Sequence, residues 1–382
     1  MHIRASLLGI SIVFLATLAR AGGFDRGGTA DLSVLYDDAP FSVSSQLLFV
    51  APQRQFATIT PFPGPGPLVP AAPAFSGVFS RDYVVPSVAA AVRLGDHTAC
   101  AATYTQPFGA ASDYSGFLAG SAPDGSVSQG FRTHEYGLTC ALRMAAGPGR
   151  LHFLGGVFIE QFSFSQDQLI APGVVAMTSA TDNSALGYRL GLAYDIPQYG
   201  MRAELLYRSA VTHNAIGMVT GPGLAIPITV GNTLPQSIEL KVQSGIAPGW
   251  FAFGSVKWAD WSVLRSITVN SGLGPLRTFT LNYRDGWTVS AGIGHLFSER
   301  LIGTAVVSWD RGVGTGADIQ TDTWTAGLGG SLRFDNGGEI TAGASISLLT
   351  AGSQSVFRGA GYNATVGTDL TYSVYLSGRV PF

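Results

Sequence analysis

The feature that most constrains this chain is a two-residue alternation in which the charged side chains fall on the same face as the glycines. Leu186, Tyr188, Leu190, Leu192, Tyr194 and Ile196 share one face of an extended segment; Gly187, Arg189, Gly191, Ala193 and Asp195 share the other. Trp324, Ala326, Leu328, Leu332 and Phe334 likewise oppose Thr323, Thr325, Gly327, Gly329, Ser331 and Arg333. Ile340, Ala342, Ala344, Ile346 and Leu348 oppose Glu339, Thr341, Gly343, Ser345 and Ser347. Successive side chains of a strand point to opposite faces. A half-solvated soluble sheet puts its charged face in water. Here the charges crowd with glycines where space is short, so the apolar face is the outer one. The pattern predicts an all-β protein, a transmembrane β-barrel with lipid outside and ion pairs within.

The rest of the sequence narrows this reading. Only 12% of the 382 residues are charged, 46% are hydrophobic and 50 are glycine. Disorder needs high charge and low hydrophobicity, and a water-soluble enzyme needs a more charged surface. A net charge of −2 gives no electrostatic footprint for nucleic acid. Residues 1–21 read as a signal peptide: a positive start at Arg4, an apolar run from Ala5 to Leu18 and small residues at Ala19 and Ala21. Beyond Ala21 no run is long enough for a spanning helix. An exported apolar chain without such a helix must close a barrel, because lipid cannot satisfy an open sheet edge. The bacterial outer membrane is the implied location.

Short turns near 95, 147, 197, 248, 298 and 336 alternate with long connections at 52–82, 108–130, 163–184, 212–234, 265–278, 310–321 and 349–369. Fourteen antiparallel strands result, with seven external loops over 42–382 and short periplasmic turns. The last strand, 370–382, ends on Phe382 with its apolar face outward, resembling the signal read by the barrel assembly machinery. Outer-membrane lipid and lipopolysaccharide are the expected surroundings of a monomer.

Residues 22–41 precede the first strand and cannot belong to the wall. They are expected to form an N-terminal plug, or hatch, with Phe24, Leu32, Val34, Leu35 and Tyr36 touching lumen or ligand. Two external loops carry apolar residues that water disfavours: Phe164, Leu169, Ile170, Val174 and Val175 in one, Ile216, Met218, Leu224 and Ile226 in the other. Facing each other, they could bury an acyl chain at about 0.8 kcal/mol per CH₂, or equally pack loop on loop. Arg189, Arg202, Arg208, Lys241 and Lys257 are candidate partners for a ligand carboxylate, or members of an ion-pair ladder with Glu204 and Glu239. Loop 52–82 holds Pro61, Pro63, Pro65 and Pro67 and is expected to be a stiff surface cover.

With Leu190 to Arg208 (LGLAYDIPQYGMRAELLYR), Leu234-Pro235, Trp261-Ser262 and Tyr283-Arg284-Asp285-Gly286-Trp287, the chain resembles the FadL-type outer-membrane transporters of long-chain fatty acids and hydrocarbons. The resemblance implies fourteen strands, a hatch, access through a groove between loops 163–184 and 212–234, and sideways exit beside a kinked third strand at about 98–107. The family's Asn-Pro-Ala element near the hatch end is replaced here by Asp37-Asp38-Ala39-Pro40. The implied function is passive transport of a hydrophobic small molecule, most simply a long-chain fatty acid, with no cofactor and no metal.

Other chemistry is weak. Cys100 and Cys140 lie on neighbouring expected strands with the parity of apolar residues, compatible with a disulfide or with two small fillers. Gly312-Val313-Gly314-Thr315-Gly316 lacks the strand-to-helix setting of a nucleotide loop. Trp250, Trp258, Trp287, Trp309 and Trp324 suggest interface girdles. A lipid hydrolase would need a serine paired with His134, His152 or His213; a structural or adhesive barrel would carry polar loops.

Overall fold

The computed structural model describes residues 22–60, 77–116 and 120–382. The expected signal peptide and the proline-rich part of the first loop lie outside them. Fourteen antiparallel wall strands run in chain order: Phe41–Pro52, Tyr83–Leu94, Thr98–Thr105 continued by Gly109–Asp113, Ser126–Ala146, Gly149–Ala171, Val174–Ile196, Met201–Arg208 continued by Val211–Gly221, Leu224–Leu234 continued by Ser237–Ala247, Trp250–Ala259 continued by Ser266–Ser271, Gly274–Thr280 continued by Gly286–Leu296, Leu301–Asp310, Thr323–Arg333, Glu339–Leu349 and Asp369–Pro381. The first and last pair from Ser42↔Pro381 to Pro52↔Thr371, which closes the barrel. The terminal strands are therefore paired with each other rather than left as sheet edges in lipid. The first strand begins at Phe41, one residue before the expected boundary.

The lower wall is apolar outside and small or charged inside, as the alternation requires. Leu190, Leu328, Val374 and Leu376 are exposed on the outside, whereas Thr288, Thr341, Thr371 and Ser373 are buried within. Glycines on the inner face make room for rings: a Cβ on Gly292 or Gly294 would lie 2.4 Å or 2.0 Å from the Phe253 or Phe251 ring. Aromatic pairs mark the outer interface, Tyr104 with Tyr136 at 5.1 Å, Tyr188 with Tyr207 at 5.8 Å and Trp309 with Trp324 at 6.3 Å. Trp258 faces Trp287 in the same belt. Cys100 and Cys140 stand opposite each other in register and form a disulfide on the outward-facing parity, resolving the two alternatives.

The connections differ from expectation. Segments 163–184, 212–234 and 265–278 are not loops but hairpins that prolong the wall above the girdle, turning at Gly173, Gly223 and Gly272. The two loops expected to face each other across a groove instead hydrogen-bond edge to edge, Met177↔Thr220 through Thr181↔Ile216. The cause is local: each keeps a two-residue alternation, and unpaired backbone groups are costly. In this crown the polarity inverts. Phe162, Phe164, Ile228, Val230, Ile267 and Val269 face inward, whereas Ser163, Ser165 and Thr229 face water. The expected long ninth strand stops at Ala259, where a 3-10 turn, Trp261–Val263, enters the wall. The tenth is broken between Thr280 and Gly286. Parts of the first and last external connections, Phe56–Thr60, Gly352–Gln354 and Asn363–Val366, form a small separate sheet above the lumen.

Candidate functional site: an aromatic chamber beside a break in the wall

The third wall strand breaks at Gln106-Pro107-Phe108. Proline has no N–H to donate and pushes its predecessor into extended backbone. Below the break the strand pairs with the second strand from Leu94↔Thr98 to Val88↔Tyr104. Above it, Gly109–Asp113 pairs only with the fourth strand, leaving Tyr83–Ser87 of the second without a partner from the third. The upper lip is closed by Arg81 N donating to Ala111 O at 3.1 Å and Asp113 N donating to Phe79 O at 2.7 Å. What lies between is a window of ≈ 760 Å³ lined by Arg26, Tyr83, Pro86, Gln106, Phe131 and Phe164, among others.

The N-terminal segment lies behind this window. Asp25 bridges Phe108; Arg26 N donates to Pro107 O at 2.9 Å, and Gly109 N to Phe24 O at 3.0 Å. A Cβ on Gly28 would sit 2.3 Å from Gln106 O, so only glycine lets the two backbones approach this closely. The Arg26 guanidinium lies 4.3 Å over the Tyr83 ring. Farther on, Asp31 caps the 3-10 turn Leu32–Tyr36 and accepts from Ser44 Oγ at 2.6 Å. Arg379 holds Asp37 at 2.5 Å, and Asp38 takes Arg143 at 2.5 Å and Arg150 at 3.1 Å. The segment thus touches wall strands all around the lumen.

Above it is a chamber of ≈ 550 Å³. Eight aromatic rings line it: Phe24, Phe56, Phe79, Tyr114, Phe131, Phe164, Phe279 and Tyr362. Phe56 and Phe79 stack at 4.2 Å beneath the small external sheet, with Tyr114 5.9 Å from Phe79, forming the roof. Burial raises the Tyr114 hydroxyl to about 12, so it stays a neutral phenol. Arg277, a cation in the lining, is held by Asp124 at 2.5 Å. Behind the lining residue Phe24 lies Trp261, wholly buried, against Phe24, Phe108 and Tyr283. Ala110, Gly130, Phe131 and Phe164 line both chamber and window, making the two continuous.

Below Trp261 the lumen changes character. A cavity of only ≈ 100 Å³ is surrounded by paired charges. Arg208 reaches Glu135 at 2.9 Å and Glu160 at 2.5 Å, and Arg189 pairs with Glu135. Lys257 meets Asp25 at 2.5 Å, and Lys241 meets Glu239 at 3.3 Å. Arg202 lies 4.3 Å over the Tyr36 ring, whose hydroxyl donates to Glu204 at 2.5 Å. The five cations proposed for a ligand carboxylate are therefore set in this network beneath the chamber.

The other expected site residues divide. Phe24 and Phe164 line the chamber, and Ile226 packs against the central cluster beside it. Leu32, Val34, Leu35 and Tyr36 are buried lower, among Ala89, Ala91, Ala99, Ala101, Ala141 and Ala193. Ile170, Val175, Ile216 and Met218 are exposed on the outside of the crown; Leu169, Val174 and Leu224, near hairpin tips, are half-buried. The sequence does not single out Phe56, Phe79, Phe131 and Tyr362, because they lie in the first connection, the fourth strand and the last connection and meet only when the barrel closes. His152 contacts Asp195 and His213 contacts Glu160; neither bonds a serine hydroxyl among the described residues.

Residues 52–369 match the family model of the outer membrane protein transport proteins (OMPP1/FadL/TodX). The chain belongs to that family. Its location is the bacterial outer membrane, and members of the family are transporters. The fold is also that of a Pseudomonas aeruginosa FadL homologue, at TM-score 0.73 and 14% identity over 92% of this chain and 93% of that one. The P. putida toluene transporter TodX gives 0.62 and 14% over 93% of each chain. The Ralstonia pickettii toluene transporter TbuX gives 0.61 and 14% over 98% and 99%. No curated protein sequence matches significantly.

Proposed function

We propose that this family member passively transports uncharged hydrophobic molecules, with aromatic hydrocarbons preferred over long-chain fatty acids. Cargo rests in the aromatic chamber and leaves sideways through the window at Pro107, while residues 22–40 act as the hatch that blocks the straight path. One observation carries the reading: the ring-lined chamber opens into the wall break, and beneath it lies a lumen packed with paired charges. Breaking a buried ion pair costs about 3–5 kcal/mol, so apolar cargo has no favourable route downward. A carboxylate would find Arg277 already neutralised by Asp124. Two similar folds belong to proteins named as toluene transporters, which supports the cargo class.

The test is uptake of radiolabelled toluene and of oleate by cells lacking their own transporter of this kind. Expression of this chain should raise toluene uptake, and Phe131→Ala should lower it about fivefold with the barrel still folded. Oleate uptake without toluene uptake would overturn the cargo assignment.

A further inference from the structure

Resting on the transport reading, we propose that hydrophobic cargo is admitted through a second lateral passage, a seam between the sixth and seventh wall strands, directly from the outer-leaflet interface.

The seam is a stretch where the ladder lapses. The sixth strand pairs with the seventh from Ile196↔Met201 to Arg189↔Arg208, Ser209 N donates to Tyr188 O at 2.9 Å just above, and the ladder resumes at Thr181↔Ile216, with Asn214 N donating to the Asp182 carboxylate at 3.0 Å beneath it. Between them both strands are irregular. The sixth shifts register against the fifth between Glu160↔Ala185 and Phe162↔Asp182, and the seventh is interrupted at Ser209-Ala210. Such bulges bend a strand and locally end pairing. The seam sits just above the Tyr188–Tyr207 girdle pair, where lipid gives way to the polar layer.

Its inner side is closed by the Phe158 ring against the sixth strand and by the buried His213–Glu160 pair, 3.0 Å apart, against the seventh. Phe158 is 1% exposed, and a Cβ on Gly187 would lie 2.2 Å from that ring. The glycine therefore lets the Phe158 ring lie directly against the sixth strand. Beyond lie Phe162 and Phe164, the second a chamber residue.

Its outer side carries a row of apolar residues among polar ones. Met177, Met218, Ile216 and Leu186 descend along the joint of the two strands, Met177 59%, Ile216 72% and Leu186 73% exposed. Neighbouring outward positions are Ser179, Thr181, Thr212 and Asn214. The apolar track leads from the crown to the seam and ends at the membrane. On the water side, the hairpins are zipped where a groove was expected, and the described part of the roof sheet packs over the chamber. A neutral hydrophobic molecule partitions into the membrane interface, so the track meets it where it is concentrated.

Two variants test this in the full chain, with toluene uptake as the readout. In the roof, Thr58 and Thr365 are paired in register, their hydroxyls 2.6 Å apart. Thr58→Cys with Thr365→Cys locks the roof under oxidising conditions and frees it under reductant, with wild type as the control. Lateral admission predicts that the oxidised form keeps at least half of the reduced form's uptake. Leu186→Asp with Ile216→Asp should lower uptake at least fivefold at low toluene, while purified protein binds toluene in detergent with wild-type affinity. Uptake abolished by the lock, or unchanged by the two aspartates, would overturn the proposal. Should the aspartate variant fail to assemble, the lock decides alone. Failure of wild type to carry toluene would instead sink the transport reading itself.

Discussion

Trp261 shows what one side chain does in this lumen. It is wholly buried and sealed by edge contacts to Phe24, Phe108 and Tyr283, with rings above it and ion pairs below. Replacing a buried tryptophan by alanine costs about 3–5 kcal/mol. Trp261→Ala should lower the unfolding midpoint, read from the gel shift between folded and heat-unfolded barrel, and weaken toluene binding to purified protein. Unchanged binding would show that the chamber does not depend on Trp261. The sequence displayed Trp261 and even its neighbour Ser262, but not the 3-10 turn that drives the ring inward. The cations were more legible: Arg189, Arg208, Lys241 and Lys257 each alternate with outward apolar residues of their strands, and they are ion-paired in the lumen. Their partners were not, because Arg208 reaches from the seventh strand to Glu135 on the fourth, a pairing set by barrel curvature rather than by chain spacing.

At the level of elements, the membrane-embedded strands were legible because lipid forces one polarity on every outward position. The crown was not, because above the girdle that polarity inverts: Phe162 and Phe164 turn in while Ser163 and Ser165 turn out. Alternation continues, but with apolar residues on the face that lipid would have made polar, so these strands read as loops. The Cys100–Cys140 bond adds a covalent tie between the third and fourth strands, enclosing a separation of 40 residues. Disulfides of that kind contribute about 2–4 kcal/mol, chiefly by restricting the unfolded chain. Changing both cysteines to serine should lower the unfolding midpoint in detergent while leaving toluene uptake intact. The N-terminal segment has its own signature. For Asp31 and Asp38, burial pushes the carboxyl upward but is outweighed, by Arg379 and serine hydroxyls for the first and by Arg143 and Arg150 for the second, so both pKa values fall below the ordinary 3.8. A depressed pKa contributes stability that is complete above the unfolded value and lost as pH falls through the folded one. Protease resistance of the segment should therefore hold from neutral pH down to about 4 and decline only below. Release between pH 7 and 5 would mean that other groups hold it.

For the whole molecule, the N-terminal segment and the wall complete each other electrically. Residues 22–40 contribute four aspartates, Asp25, Asp31, Asp37 and Asp38, against one arginine, Arg26. Their partners on the wall are cations: Lys257 for Asp25, Arg379 for Asp37, and Arg93, Arg143 and Arg150 for Asp38. Fourteen-stranded barrels stand between those filled by their own side chains and open porins, so this lumen should conduct once the segment is gone. Deleting residues 22–40 while keeping residues 1–21 strips the acidic halves of these pairs and leaves the basic halves lining the bore. Rings of arginine and lysine select anions. The shortened chain, reconstituted in planar bilayers under a potassium chloride gradient, should show steady conductance with a reversal potential on the chloride side, and the full chain little conductance. A silent deletion would show that the charged network below Trp261 seals the bore unaided. A cation-selective pore would show that Glu135, Glu160, Glu204 and Glu239, not the stranded arginines, set the potential along the path.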